Sequence, residues 1–271
     1  MQKRKYCASS RNGWWVITRF NAPNPRRLLF FALLLLAWQS LIWLGVWREY
    51  VFPSPLSVLQ TLARGFQNGT FIVGIVTSMQ RLLVGFAISA IIGLALGLAL
   101  GRIKALDETL GSLVLGLQAL PSICWLPLAL LWFGLSETAM LFVVVMGALL
   151  SITLSTEAGV KNTPPLYLRA ARNLGARGWK VYVLVILPAA LPSIITGMKL
   201  GWSFAWRSLM AAELLYVSLG LGQLLMMGRE LNDMSQVIAV MLVIIAIGLV
   251  VDRLIFAPIE SRVRERWGFV T

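Results

Sequence analysis

Six long apolar stretches dominate this chain and leave few folds open to it. They run about 28–47, 74–100, 110–133, 138–155, 183–215 and 237–256. Each approaches or exceeds the roughly 20 residues that carry a helix across a hydrocarbon core. Only 13% of the 271 residues are charged and 58% are hydrophobic, against about 25% and 45–50% in a soluble domain. So few charges cannot coat a globule. The expectation is an all-α membrane protein of about six transmembrane helices, the longest of them tilted or extended into the interface. The 28–47 stretch is longer than the apolar part of a secretion signal and has no small-residue cleavage site after it, so it reads as a retained first span.

The net charge is +13 with no histidine, and its placement matters more than its size. Eighteen lysines and arginines fall in the N-terminal tail, the segments after the second and fourth stretches, and the C-terminal tail. Three, Arg48, Arg64 and Arg229, fall in the alternate segments, and three, Arg81, Lys199 and Arg207, lie inside the stretches. This asymmetry puts both termini in the cytoplasm, and an even number of spans agrees by placing them on the same side. The expected organisation is a basic cytoplasmic tail over 1–27, a transmembrane domain over 28–256 with a cytoplasmic loop at about 159–182, and a cytoplasmic tail over 257–271. Basic residues confined between apolar runs favour contact with anionic lipid and argue against nucleic acid. Cys7 and Cys124 fall in different compartments, which excludes a disulfide between them.

Three smaller patterns stand out. Gly85, Ser89, Gly93, Gly97 and Gly101 recur every four residues, forming one small-residue stripe against which a second helix can pack closely. Ser54 and Ser57 are candidate caps for a short external helix near 56–66. Ionisable groups inside spans are costly unless they face a cavity or a partner, which singles out Arg81, Lys199, Arg207 and Glu213. Lys199 and Glu213 lie about 21 Å apart on one helix, too far to pair with each other. They share a broad face with Trp202, Trp206 and Met210, while Arg207 points elsewhere. That face either lines a translocation path, for which Lys199, Trp202, Trp206, Arg207 and Glu213 are the candidates, or is tied to other helices.

The loop after the fourth stretch holds Ala170-Ala171, then Gly175, then Val185-Ile186-Leu187-Pro188. Asn162-Thr163-Pro164 offers a helix start, and a short basic amphipathic helix follows, ending near Gly175 or Gly178. This spacing resembles the "EAA…G…I-x-L-P" signature of ABC importer permeases, with Arg169 standing where that family has glutamate. Leu120-Pro121, Trp125-Leu126-Pro127-Leu128, Leu131-Trp132-Phe133-Gly134, Arg81–Phe86 and Ala211-Ala212-Glu213-Leu214 resemble the nitrate/sulfonate/taurine branch.

The resemblance implies a type I ABC importer permease fold in a bacterial inner membrane. It implies that Arg169, Ala170, Ala171, Leu174 and Gly175 dock on an ATPase, the alanines by being small and the glycine by permitting a turn. It also implies a homodimer with two ATP-binding subunits, an external solute-binding protein, and a small anion such as a sulfonate or nitrate as cargo. No Gly-x-x-x-x-Gly-Lys-Ser/Thr loop is present, so ATP and Mg²⁺ belong to the separate subunit. A membrane enzyme lacks support, since the chain has no histidine and no clustered carboxylates. An ATPase-independent secondary transporter or channel is the alternative, and it would need no docking loop.

Overall fold

The computed structural model describes residues 25–45, 51–215 and 218–267, and among these every regular element is helical. In chain order they are α1 (Pro25–Trp43), α2 (Pro55–Gln67), α3 (Thr70–Leu100), α4 (Lys104–Gln118), α5 (Ser122–Phe133) and α6 (Glu137–Lys161). There follow α7 (Pro165–Asn173), α8 (Trp179–Leu215), α9 (Leu221–Glu230) and α10 (Met234–Glu265).

Four helices, α3, α6, α8 and α10, are long and apolar enough to cross a membrane. The other two of the six expected spans take a different form among the described residues. The third stretch is not straight: α4 and α5 meet at 98°. Pro121 lacks an amide donor and pushes the preceding residue out of helical geometry, so the chain breaks at Gln118–Ser122. Pro127 falls in the first turn of Trp125–Phe133, where a missing donor costs nothing. The first stretch yields an apolar helical length of Leu28–Trp43; residues 44 and 45 form a turn, and 46 and 47 lie outside the described residues.

Two helices run beyond their apolar stretches. α6 continues to Lys161, supported by Lys161 pairing with Glu157 at 2.8 Å and with Asp107 at 2.6 Å. α10 runs through much of the expected C-terminal tail. Wide π turns interrupt α8 at Tyr182–Ile186 and α10 at Asp252–Phe256. Each lies just before a proline, Pro188 or Pro258, whose ring collides with the carbonyl four residues back in a regular helix. The wider turn gives that ring room.

α6 is the spine of the bundle, packed between α3 and α8. The small stripe on α3 makes one side of this seam. A β-carbon added at Gly93 would sit 3.0 Å from Cβ of Ile152, and one at Gly97 would sit 2.6 Å from the Thr153 carbonyl. Ser89, fully buried, donates to the Gly85 carbonyl at 2.7 Å and lies 3.2 Å from that of Val145. The other side uses Gly159 against Ser193 and Ala190, and Gly201 against Ile152. Away from the seams, Ile91, Leu184, Ile245 and Leu254 are exposed, as a lipid-facing surface requires.

At the opposite end, Ser54 caps α2 by accepting from the Ser57 amide at 3.2 Å. Trp38 of α1 donates its indole N–H to the Pro53 carbonyl at 3.0 Å. The seam predicts a selective effect. Gly97→Leu should cost about 1–3 kcal/mol by overpacking and lower the thermal midpoint of the purified protein. Gly116→Leu, at an exposed position where an added β-carbon meets nothing within 4 Å, should leave the midpoint unchanged.

Candidate functional site

The singled-out residues separate into three places. The first is the loop carrying α7. Pro165 occupies the first turn of α7, and the helix closes on Gly175, whose φ of 85° is the left-handed conformation that glycine adopts without strain. The Gly175 amide donates to Arg172 and that of Ala176 to Ala171, at 3.0 and 2.9 Å. A second left-handed glycine, Gly178 at φ 55°, re-aims the chain into α8. Asn162 and Thr163 do not cap α7. Asn162 ends α6, and the buried Thr163 hydroxyl donates to the Gly159 carbonyl at 3.3 Å.

The two alanines face opposite ways. Ala170 is exposed, whereas Ala171 is buried against its own chain. The expectation that both form an outward docking surface is corrected for Ala171, whose small size seats α7 on the bundle. The outward surface is instead Leu166, Tyr167, Arg169, Ala170 and Leu174, and Leu174 is 87% exposed. Leu166 and Tyr167 were missed because the motif begins after them. Their signal was an apolar pair at the start of a helix too short and too basic to span.

The second place is a buried charge cluster. Arg81 on α3 is 7% exposed and Glu213 on α8 is 0% exposed. An Arg81 Nη donates to Glu213 at 3.0 Å and to the Leu219 carbonyl at 2.9 Å. Its Nε donates to Glu137, at the start of α6, at 2.9 Å, and the other Nη reaches both Glu137 and Ser218. Ser78 lies 2.8 Å from both Glu213 carboxylate oxygens and accepts from the Leu221 amide, and the Gly222 amide donates to Glu213. An added β-carbon at Gly220 would lie 2.7 Å from the Glu213 carboxylate, so glycine is what lets this loop close over the charge. Two of the segments carrying the family resemblance, around Arg81 and Glu213, therefore meet in one ion pair. Sequence reasoning flagged both residues without pairing them and missed Ser78, Glu137 and Ser218. The opposite signs of Arg81 and Glu213 were the available signal.

The third place is the Lys199–Arg207 stretch of α8. Lys199 bridges to Asp252 at 2.8 Å and Glu260 at 3.5 Å, both on α10. Lys199, Trp202, Ser203, Trp206 and Arg207 line a cavity of about 240 Å³. Arg207 also lines a second cavity, of about 310 Å³, at the α4–α5 break beside Gln118, Ser122 and Trp125. Its guanidinium lies 5.9 Å from the Phe204 ring centre.

The expected face is thus divided. Its upper part, Glu213, is sealed against α3 and the loop before α9. Trp202 is mostly buried, edge-on to Phe86 at 5.1 Å. Trp206 packs against two buried clusters. The expectation that Arg207 points elsewhere is corrected. Eight residues return a helix to within about 80° of the start, and the cavity spans that angle. Cys124 carries a free, exposed thiol, and Cys7 lies outside the described residues.

The description "Binding-protein-dependent transport system inner membrane component" belongs to a family whose model matches residues 89–264. A putative ABC transporter permease of Methanocaldococcus jannaschii is 35% identical over 227 residues, covering 82% of this chain and 85% of that one. The taurine transport system permease of Escherichia coli is 30% identical over 226 residues, 82% of each chain. A nitrate import permease of Synechocystis is 30% identical over 247 residues, 88% of each. The fold is shared with an inward-facing structure of the MetNI methionine ABC transporter, with a TM-score of 0.59 at 20% identity over 71% of this chain and 95% of that one.

The buried pair makes its own prediction. Arg81→Met leaves the Glu213 carboxylate uncompensated and should cost about 3–5 kcal/mol. Adding Glu213→Gln, which keeps an acceptor for Ser78 and Gly222, should restore at least half of that, read as resistance to thermal unfolding in detergent.

Proposed function

The chain belongs to the family of inner membrane components of binding-protein-dependent transport systems, and on that premise we propose that it imports a small anion, driven by ATP hydrolysis in a separate subunit. In this reading two copies form the pathway. Two ATPase subunits, which hold the ATP and Mg²⁺, dock on the α7 side, and an external binding protein delivers the solute at the other. Both termini and α7 face the cytoplasm, in keeping with the distribution of lysine and arginine. No step of bond-making is assigned to this chain.

The observation that carries the reading is α7. It is a short helix with exposed Leu166, Tyr167 and Leu174, and one glycine turn separates it from the helix that lines the cavity. A force applied at α7 passes into α8 without a long flexible linker. The cargo class draws support from two directions. Relatives are described as permeases for taurine, for aliphatic sulfonates and for nitrate. Arg207 is exposed at two cavities, and a guanidinium suits the planar or tetrahedral oxygens of such anions.

Reconstitution with a cognate ATPase subunit and solute-binding protein tests the proposal. Taurine and nitrate uptake should require ATP. Ala170→Glu and Gly175→Pro should insert normally but fail to retain the ATPase. Arg207→Ala removes one charge-assisted contact of about 1.5–3 kcal/mol and should slow uptake about 10- to 100-fold. ATP-independent uptake, or normal uptake in both loop variants, would defeat the reading.

A further inference from the structure

We propose that the cavity between the end of α3, α7 and the start of α8 binds the phosphate of an anionic phospholipid, held by Arg102, Arg172 and Arg177. The cavity is about 590 Å³, and Gly178, Val181 and Tyr182 complete most of its wall. Three guanidiniums line it and no carboxylate does.

Two nearby lysines are neutralised, whereas the cavity arginines, like Arg169 and Lys180 beside them, are not. Lys104 pairs with Glu108, and Lys161 pairs with Asp107 and Glu157. None of the three arginines forms an ion pair among the described residues. The Nε of Arg102 is buried with no hydrogen-bond partner. Its guanidinium lies 5.4 Å from the Tyr182 ring centre, which holds the group in place while its N–H donors stay available. A cluster of like charges without counter-ions is repulsive, and an anion relieves the repulsion.

The surroundings select a lipid over a soluble anion or an acidic protein surface. Directly after Tyr182, Val183, Leu184 and Leu187 are exposed along α8, a track for an acyl chain above the charged head. Trp179 is 70% exposed at the same level, where indoles mark the membrane–water boundary. Basic pockets between helices at that boundary take anionic head groups. Two of the three arginines belong to α7 and its turn, so a bound lipid would brace the docking element against α3. The inference rests on the preceding reading only for the leaflet in which the lipid lies.

The test equilibrates the purified full chain with detergent-solubilised phosphatidylglycerol or phosphatidylcholine and counts retained lipid by native mass spectrometry. Wild type should hold phosphatidylglycerol about tenfold more tightly than phosphatidylcholine. Arg102→Gln/Arg177→Gln should abolish that preference. Arg102→Lys/Arg177→Lys should keep most of it, and Arg253→Gln, which removes a charge outside the cavity, all of it. An unchanged preference in the double glutamine variant overturns the proposal. So does displacement by excess inorganic phosphate, which would make this a soluble-anion site. Loss of ATPase association in the double glutamine variant with lipid retention intact overturns it too, in favour of a protein contact. Lipid retention is read without transport, so failure here leaves the importer assignment standing.

Discussion

Close approach of helix backbones along α6 is the constraint on which the rest of the structure depends. In lipid, apolar side chains gain nothing by leaving one apolar medium for another, so helices associate through packing and polar contacts. Here α3 supplies glycines to one side of α6, and α8 supplies them to the other, aided by the Gly159 of α6 itself. The three helices therefore share one tightly interlocked seam. A single larger side chain in it separates backbones rather than merely filling a gap.

The two ends of this core are built differently. At one end the Arg81–Glu213 pair fastens α3, α6, α8 and the loop before α9 through hydrogen bonds that leave no carboxylate oxygen idle. A buried ion pair offers little net stability over an apolar substitute, but breaking it is costly, so it specifies geometry more than it adds strength. At the other end α8 begins with a glycine turn, a π turn and two prolines, a stretch where helical geometry is already irregular. The end of α8 that adjoins α7 is thus its irregular end, while the far end is tied by the ion pair. The cavity lined by Lys199 and Arg207 lies between the two.

Much of this was legible in the sequence. The apolar stretches located α3, α6, α8 and α10, because length and hydropathy are local properties. The four-residue stripe identified the seam, since helical periodicity places those residues on one face. The glycine closure of α7 followed from C-cap chemistry, whereas its start did not, since Asn162 ends α6 and Thr163 bonds back to Gly159. What sequence could not supply were relations set by tertiary packing. That Arg81 meets Glu213, 132 positions away, depends on which helices adjoin. That Ala171 faces inward while Ala170 faces outward depends on the roll of a short helix, which an alanine pair does not encode. The break at Pro121 was signalled by the proline, yet proline kinks and proline breaks read alike. The helix α9 was hidden by its brevity.

If an ATPase acts on this chain through α7, the two must touch there. Site-directed cross-linking tests that contact most directly. Leu174→Cys, in a chain with Cys7 and Cys124 replaced by serine, is treated with a short bifunctional thiol reagent in the assembled transporter. A covalent adduct with the ATPase subunit should form, its yield changing when ATP is bound, and none should form from Leu231→Cys at the opposite end. A Leu174→Cys thiol that reacts freely with a water-soluble maleimide in the assembled complex and never joins the ATPase would contradict such a contact.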